Sequence, residues 1–282
     1  MKGLRIAPSA GSGDGWGGNL PLSPEYPEQV ELDLRRLRFV VPTFLLRLRT
    51  FVDWHLAEGR AVRVRCPEDP DVNRYMARMR IDHDLPDGTF DSLLTVREHD
   101  QRDVLIPVNR LHEFRDVDQL VDSLSPIVDA HVAAVKRLAQ PFLLAVSELC
   151  GNAVEHGQGR TGCYVAAQRY RTGPSLQLAI ADLGIGIPEH LRQRYPDLKD
   201  DGAAIMRATQ EGVSGTGDQH RGYGFSQVIE EAAAADVPFG VLIIRSGRGL
   251  VQVSQRPKEW VTMALEAPYK RGSWISFEFG AP

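Results

Sequence analysis

Ser147-Glu148-Leu149-Cys150-Gly151-Asn152-Ala153-Val154-Glu155-His156-Gly157 is the stretch that decides how this chain of 282 residues is interpreted. Its spacing predicts an amphipathic helix that ends at Gly157, because glycine readily adopts the left-handed conformation of a helix C-cap. Glu148, Asn152 and His156 follow one another at intervals of four residues, so their side chains project from one face. An amide oxygen is a hard ligand suited to Mg2+, and a nearby carboxylate can orient or deprotonate a nucleophile. Alone, the pair Glu148 and Asn152 is also typical of an ordinary solvent-facing helix.

A second polar group follows an apolar run further along the chain. Residues 176–181 predict a buried strand, and Asp182-Leu183-Gly184-Ile185-Gly186 comes directly after it. A carboxylate at a strand end can accept a hydrogen bond from an exocyclic amine, such as N6 of adenine. Gly184 and Gly186 allow the backbone to approach a flat ligand closely and to adopt positive φ. Taken alone, the same residues fit a tight turn.

A glycine-rich loop over residues 215–226 forms a third segment and leads into a predicted helix. Such a loop presents backbone N–H groups, together with the positive end of the helix, to a phosphate. A surface loop without a ligand is the alternative interpretation of these residues.

The three segments, in this order, resemble the histidine-kinase-like ATPase superfamily, whose nucleotide-binding unit is called the Bergerat fold. The resemblance covers roughly the C-terminal two-thirds of the chain and implies binding of ATP with Mg2+. It implies that Glu148 is the general base, that Asn152 coordinates Mg2+ and that Asp182 binds adenine. The other residues implied to bind the nucleotide are Gly184 and Gly186 at the base, Gly217, Arg221, Gly222 and Gly224 in a lid over the phosphates, and Ser273, whose hydroxyl helps to hold Asp182. Arg221 either reaches the γ-phosphate or is a solvated lid residue, and His156 either contacts the phosphates or lid or is structural.

Within the superfamily, the order of residues around Glu148 and Asn152 looks most like that of the anti-sigma-factor serine kinases. We find no histidine-kinase phosphoacceptor motif before residue 140, and we expect no transducer domain after the predicted strand that contains Ser273. The resemblance therefore implies a protein serine/threonine kinase or ATPase that acts on a STAS-type or sigma-factor partner in a partner-switching pathway. A non-catalytic, ATP-gated interaction module is the alternative. We leave open whether the chain forms a homodimer.

Composition excludes several other classes of function. The formal net charge is −4, so we expect no general attraction to nucleic acid or to an anionic membrane. No apolar run approaches the roughly 20 residues that span a bilayer. The three cysteines have no metal-ligand spacing and cannot form a complete disulfide framework, which is typical of a cytoplasmic protein.

The N-terminal part predicts two further regions. Glycine-rich residues 1–24 predict a flexible arm that cannot build a core. Residues 25–90 alternate strand and helix patterns, which predicts parallel strands with right-handed crossovers and resembles a STAS domain. The STAS signature is degenerate here, because only Thr43 keeps a hydroxyl at the phosphoacceptor turn. Thr43 is most simply the N-cap of the following helix.

Residues 91–282 are predicted to form the ATPase domain as an α/β sandwich, with a mixed sheet covered by helices on one face. The expected helices span 117–138, 141–156 and 224–235. The expected strands lie near 104–108, 162–170, 175–182, 238–245, 249–255 and 273–279.

Overall fold

The computed structural model describes residues 4–6, 20, 22, 26–96, 104–131, 136–157, 162–169, 176–210, 224–234, 239–256 and 259–280. Within this part the chain is an α/β protein with seven helices and eight strands, arranged as a three-stranded and a five-stranded sheet. The first sheet and its helices are β1 (Leu4–Ile6), β2 (Gln29–Asp33), α1 (Pro42–Ala57), β3 (Ala61–Arg65) and α2 (Pro70–Arg78).

The second sheet and its helices follow from residue 104 onward. In chain order they are β4 (Val104–Leu111), α3 (Phe114–His131), α4 (Lys136–Gly157), β5 (Cys163–Arg169), β6 (Leu176–Asp182), α5 (Ile187–Arg192), α6 (Asp201–Ala208), α7 (Gly224–Ala234), β7 (Phe239–Arg256) and β8 (Glu259–Gly280).

The N-terminal sheet is parallel, as its strand and helix order predicted. The strands lie in the order β1, β2, β3, and Val30 is paired with Val62 in parallel register. Helix α1 starts at Pro42, whose fixed φ suits a first helical residue. It ends before Gly59, which has a φ of 76° and so takes the left-handed conformation that glycine favours.

The prediction that Thr43 is the N-cap of α1 is wrong. Val41 occupies the N-cap position, so Thr43 lies inside the first turn, where it is only 1% exposed. Residues 4–6, which precede the glycine-rich stretch, form β1 and pair with β2. At the other end of this part, the backbone N–H of Asp91 donates to the carbonyl of Val64.

The prediction of a mixed second sheet is also wrong. The strand order is β4, β5, β6, β8, β7, and every neighbouring pair in it is antiparallel. The three strands predicted after residue 238 are two long strands that form one hairpin, β7 and β8. A register shift between Ser246 and Gly249 marks the point that the sequence pattern indicated as a break.

Two helix predictions need correction as well. The break before Pro141 is wrong, because Pro141 lies inside α4, and α3 ends earlier than predicted at His131. Helices α5 and α6, which the sequence analysis did not predict, fill part of the segment between β6 and the glycine-rich loop.

Both faces of the second sheet are covered, whereas helices were predicted on one face only. Alternate side chains of β5 point in opposite directions: Val165 packs into the core beneath α3 and α4, and Tyr164 into the core around α1. Helix α1 lies between the two sheets, and thirteen of its sixteen residues are buried. Small residues such as Ala166 and Ala179 leave room for this helix. The N-terminal sheet and the second sheet thus share one hydrophobic core.

Candidate functional site

Helix α4 carries Glu148 and Asn152 on a half-buried face, and the neighbouring Ala145 and Leu149 are fully buried. The first residue of α7 lies directly against this face. A Cβ added to Gly224 would lie 2.6 Å from Nδ2 of Asn152 and 3.3 Å from Oε2 of Glu148. The structure therefore brings together the first predicted segment and the start of the helix that follows the glycine-rich loop. It also places the N-terminus of α7, the positive end of that helix, beside a carboxylate.

Asp182, the last residue of β6, is 3% exposed. Its Oδ1 accepts a hydrogen bond of 2.8 Å from the backbone N–H of Gly184. Ser273 on β8 also donates to this carboxylate, from both its hydroxyl and its backbone N–H. Burial raises the pKa of Asp182 to about 6, and the hydrogen bonds from Gly184 and Ser273 oppose this rise without cancelling it. The carboxylate is thus fixed in orientation and is poorly solvated.

The turn after Asp182 is fixed to the β7–β8 hairpin. Gly272 has a φ of 74°, and a side chain there would collide with the carbonyl of Asp182. The fully buried Ser246 donates from its hydroxyl to the carbonyl of Gly272 at 2.6 Å and accepts from the N–H of Ile187 at 3.0 Å. Gly186, with a φ of 85°, has no room for a side chain because Oγ of Ser246 would lie 2.6 Å from its Cβ. These glycines are therefore required by the close approach of two backbone segments.

Two buried thiols connect the Asp182 group with α4. Cys163 is the cross-strand partner of Asp182, and its thiol is hydrogen-bonded to the thiol of Cys150 on α4. That hydrogen bond, together with burial, raises the pKa of the Cys163 thiol well above its usual value. Both thiols are free and fully buried, as expected for small packing residues. Asp182 and the helix that carries Glu148 and Asn152 thus belong to one packed unit.

The predicted site residues therefore form two neighbouring groups. Glu148, Asn152 and Gly224 form one of them. Asp182, Gly184, Gly186 and Ser273 form the other. Gly217, Arg221 and Gly222 lie outside the described residues, as does the side chain of His156.

Comparison with known protein families found no family model that matches this chain. Comparison with curated proteins found no similar sequence.

Sequence reasoning missed two residues that shape the site. Ser246 fixes the turn after Asp182, and the glycines that follow it at 247 and 249 signalled a bulge. Asp201, at the start of α6, accepts from the N–H of Arg248 at 2.7 Å and forms an ion pair with Arg192. Burial raises the pKa of Asp201, but these two partners outweigh it, and the pKa lies below its usual value. A strand-to-helix contact of this kind has no local sequence signal.

The chemical repertoire of the site is limited by its donors. Among the described residues no group of three or more His, Cys, Asp and Glu side chains could hold a metal ion. The buried carboxylate of Asp182 is suited to accept hydrogen bonds from a ligand amine. In the part of the chain that the structure describes, no helix is long and apolar enough to cross a membrane.

Proposed function

We propose that residues 91–282 form a histidine-kinase-like (Bergerat) ATPase unit that binds ATP with Mg2+. We further propose that the chain acts as a protein serine/threonine kinase or ATPase of the anti-sigma-factor type, in a partner-switching pathway, with a STAS-like unit at its N-terminus. One observation carries the proposal: the buried, hydrogen-bonded carboxylate of Asp182 is packed through Cys163 and Cys150 against the helix that presents Glu148 and Asn152.

The environment of Asp182 supports a ligand-binding role. A buried carboxylate normally has a cationic partner, because loss of hydration is costly. Within the described residues Asp182 forms no ion pair with Lys, Arg or His, and hydrogen bonds alone hold it in place. Strongly perturbed carboxylates in such surroundings are typical of functional sites. An adenine amine could donate to this carboxylate, whereas guanine presents a carbonyl at the same position and would be rejected.

The donors around Asn152 fit Mg2+ bound to a nucleotide. The amide oxygen would supply one hard ligand, and the phosphates would supply others. Mg2+ bound in this way neutralises the phosphate charge. The N-terminus of α7 lies beside Asn152 and adds backbone N–H groups on the same side. Glu148, one turn earlier and on the same face, is placed to accept the proton of an attacking hydroxyl or water.

The acceptor hydroxyl belongs to another molecule in this proposal. Thr43, the hydroxyl at the STAS-like turn, is 1% exposed at the start of α1, a helix buried between two sheets. It is therefore inaccessible to a kinase while α1 is folded. This favours a STAS-type or sigma-factor partner in trans over phosphorylation of the N-terminal unit.

A non-catalytic, ATP-gated interaction module is the second candidate. The contact between Gly224 and both Glu148 and Asn152 favours it, because a triphosphate bound at Asn152 must touch or displace the start of α7. Nucleotide binding could then move α7 and change a partner surface without turnover. The two candidates differ in their need for Glu148, since binding alone requires no base.

Titration calorimetry with Mg-ATP and Mg-GTP tests the common part of the proposal. We expect binding of Mg-ATP only, and its loss in Asn152→Ala when Mg2+ is present. If the wild-type chain does not bind Mg-ATP at concentrations up to about 5 mM, the nucleotide site is refuted. A Kd of about 5 mM corresponds to a binding free energy of only about −3 kcal/mol.

Transfer of labelled phosphate to a STAS-type protein, and release of phosphate to water, separate the two candidates. Activity that is lost in Glu148→Gln but kept in Glu155→Gln, a change on the same helix, supports the enzyme. Binding of ATP without transfer or release supports the module.

A further inference from the structure

The β7–β8 hairpin extends well beyond the rest of its sheet. Strand β6 pairs with β8 only between Trp274 and Phe279, whereas β7 and β8 stay paired as far as Arg256 and Glu259. We call the outer part, residues 249–256 and 259–266, the hairpin arm. In the described part of the chain, β8 of this arm has no strand partner other than β7. Among the described residues, the second edge of this segment therefore presents N–H and C=O groups that no strand pairs with.

The two strands of the hairpin arm differ in exposure. On β7, Val251 and Val253 are buried in the same core as Ile205 of α6. On β8, every residue from Thr262 to Glu266 is exposed. Strand β7 thus anchors the hairpin arm in the core, while β8 is exposed to solvent from Thr262 to Glu266.

Exposed apolar side chains lie on one face of β8 in this arm. Met263 is 47% exposed and Leu265 52%, and both point away from the face on which α6 packs, because Ala264 between them is paired with the buried Val251. Tyr269, farther along β8, is 66% exposed. Scattered single residues need no explanation, but a group beside an open strand edge marks an interaction surface.

The edge also lacks the usual protection against pairing. Natural edge strands carry Lys, Pro or inward-pointing charges that prevent association. From Val261 to Ala267 the only charged residue is Glu266, and Pro268 follows after this segment. A cavity of about 230 Å³ lies between Ala264, Leu265 and Glu266 and the start of α6, so the chain's own side chains leave space there.

We propose that a second copy of this chain occupies the edge, with β8 of each copy paired antiparallel about a two-fold axis at Ala264. This register places Met263 opposite Leu265 of the other copy, and the reverse, so the exposed apolar side chains cover each other. It also places Glu266 opposite Thr262, with no like charges facing. Two other registers are less favourable. A two-fold axis at Glu266 would bring the Glu266 carboxylates of both copies together. An axis at Leu265 would pair Thr262 with Pro268, which has no N–H to donate.

We expect a weak dimer that does not assemble further. Seven paired residues span about 23 Å, and the apolar pairs add little area, so the interface is smaller than the roughly 1,200 Å² of a stable complex. We therefore expect a Kd on the order of 10 to 100 µM. Because the same edge meets itself, pairing stops at two copies, and the two hairpin arms form a four-stranded sheet.

Sedimentation velocity over protein concentrations from about 1 to 500 µM tests the proposal. The wild-type chain should change from monomer to dimer across this range. The variant with Met263→Lys and Leu265→Lys should remain monomeric while keeping its circular dichroism and melting temperature, because both side chains are exposed. Phe39→Lys is the matched control, since Phe39 is 65% exposed on the N-terminal unit. This variant should dimerise like the wild type.

A cross-linking experiment tests the register. Ala264→Cys should form an intermolecular disulfide on mild oxidation, because directly opposed Cβ atoms lie about 5 Å apart. Glu266→Cys should not, since its counterpart would be about 13 Å away along the strand. The three native cysteines are buried and should not interfere. A wild-type chain that stays monomeric throughout, a lysine variant that dimerises like the Phe39→Lys control, or equal cross-linking of the two cysteine variants would overturn the proposal.

Discussion

Asp182 gives the sharpest quantitative prediction, because its burial links stability to function. Its pKa is raised from 3.8 to about 6 by burial. Each pKa unit corresponds to about 1.4 kcal/mol, so the ionised carboxylate destabilises the folded state by about 3 kcal/mol. Since the folded-state pKa is the higher one, the protonated group favours folding below about pH 4. This contribution is lost as the pH rises through about 6.

Asp182→Asn removes this titration while keeping the shape of the side chain. We expect the free energy of unfolding of the variant, relative to the wild type, to increase by about 2.5 kcal/mol between pH 4 and pH 8, because part of the full 3 kcal/mol is already lost at pH 4. Other titrating groups are common to both proteins and cancel in the difference. Any constant offset from the new amide N–H groups also cancels, because only the change with pH is compared.

Urea denaturation at several pH values between 4 and 8 measures this difference. If the two stability curves run parallel, the carboxylate is solvated and the reasoning from burial fails. Saturating Mg-ATP should stabilise the wild type at pH 7.5 but not the variant, since the variant amide cannot provide the anionic acceptor. The same ionisation predicts that the wild type binds ATP more weakly below pH 6 than at pH 7.5.

Three further predictions test other parts of the structure. Gly224→Ala should weaken Mg-ATP binding, measured by calorimetry, because the new Cβ would lie 2.6 Å from the amide of Asn152. Gly151→Ala, on the helix that carries Asn152, is the control: its Cβ meets only a ring atom at 3.7 Å, so the unfolding free energy should rise by about 0.5 to 1 kcal/mol with affinity for Mg-ATP unchanged. His55→Phe should reduce acid sensitivity, because burial, followed by a nearby guanidinium, lowers the pKa of His55 from 6.5 to about 4. The free energy of unfolding of the wild type should therefore fall by about 3 kcal/mol more than that of the variant as the pH falls from 6.5 to 4. Equal decreases in the two proteins, measured by urea denaturation, would contradict this. Tyr164→Phe removes the 2.6 Å hydrogen bond to a carboxylate on α1 and should lower the free energy of unfolding, measured by denaturation, by about 1 to 3 kcal/mol. The affinity for ATP should stay unchanged. An altered affinity would indicate coupling across the sheet.

The contact that Tyr164→Phe probes also explains how the two sheets are held together. Oδ2 of Asp53 accepts from the Tyr164 hydroxyl, and the same carboxylate forms an ion pair with Arg49 at 3.1 Å. Arg49 and Asp53 are both nearly fully buried on α1. Farther along the interface, the N–H of Val108 on β4 donates to the carbonyl of Met79 at 2.8 Å. Polar contacts of this kind, inside a shared apolar core, fix one packing arrangement of α1 on the second sheet.

Sequence patterns by themselves determined the local elements. Proline at 42, glycine at 59 and the spacing of apolar residues were sufficient to place α1, because these signals act within one or two turns. The interval between Glu148 and Asn152 placed both side chains on one helix face for the same reason. The possibility of a positive φ at Gly186 was likewise local information, and the structure gives this glycine a φ of 85°.

Only the tertiary structure decided how these elements meet. Strand direction in the second sheet, the single long hairpin of β7 and β8, and the burial of α1 between two sheets all depend on contacts between residues far apart in the chain. An apolar alternation shows that a strand has a buried face, but it does not identify what covers that face. The hydrogen bonds of Asp182 also depend on such distant contacts. Ser273 lies 91 positions away in the sequence and reaches the carboxylate only because β6 and β8 pair.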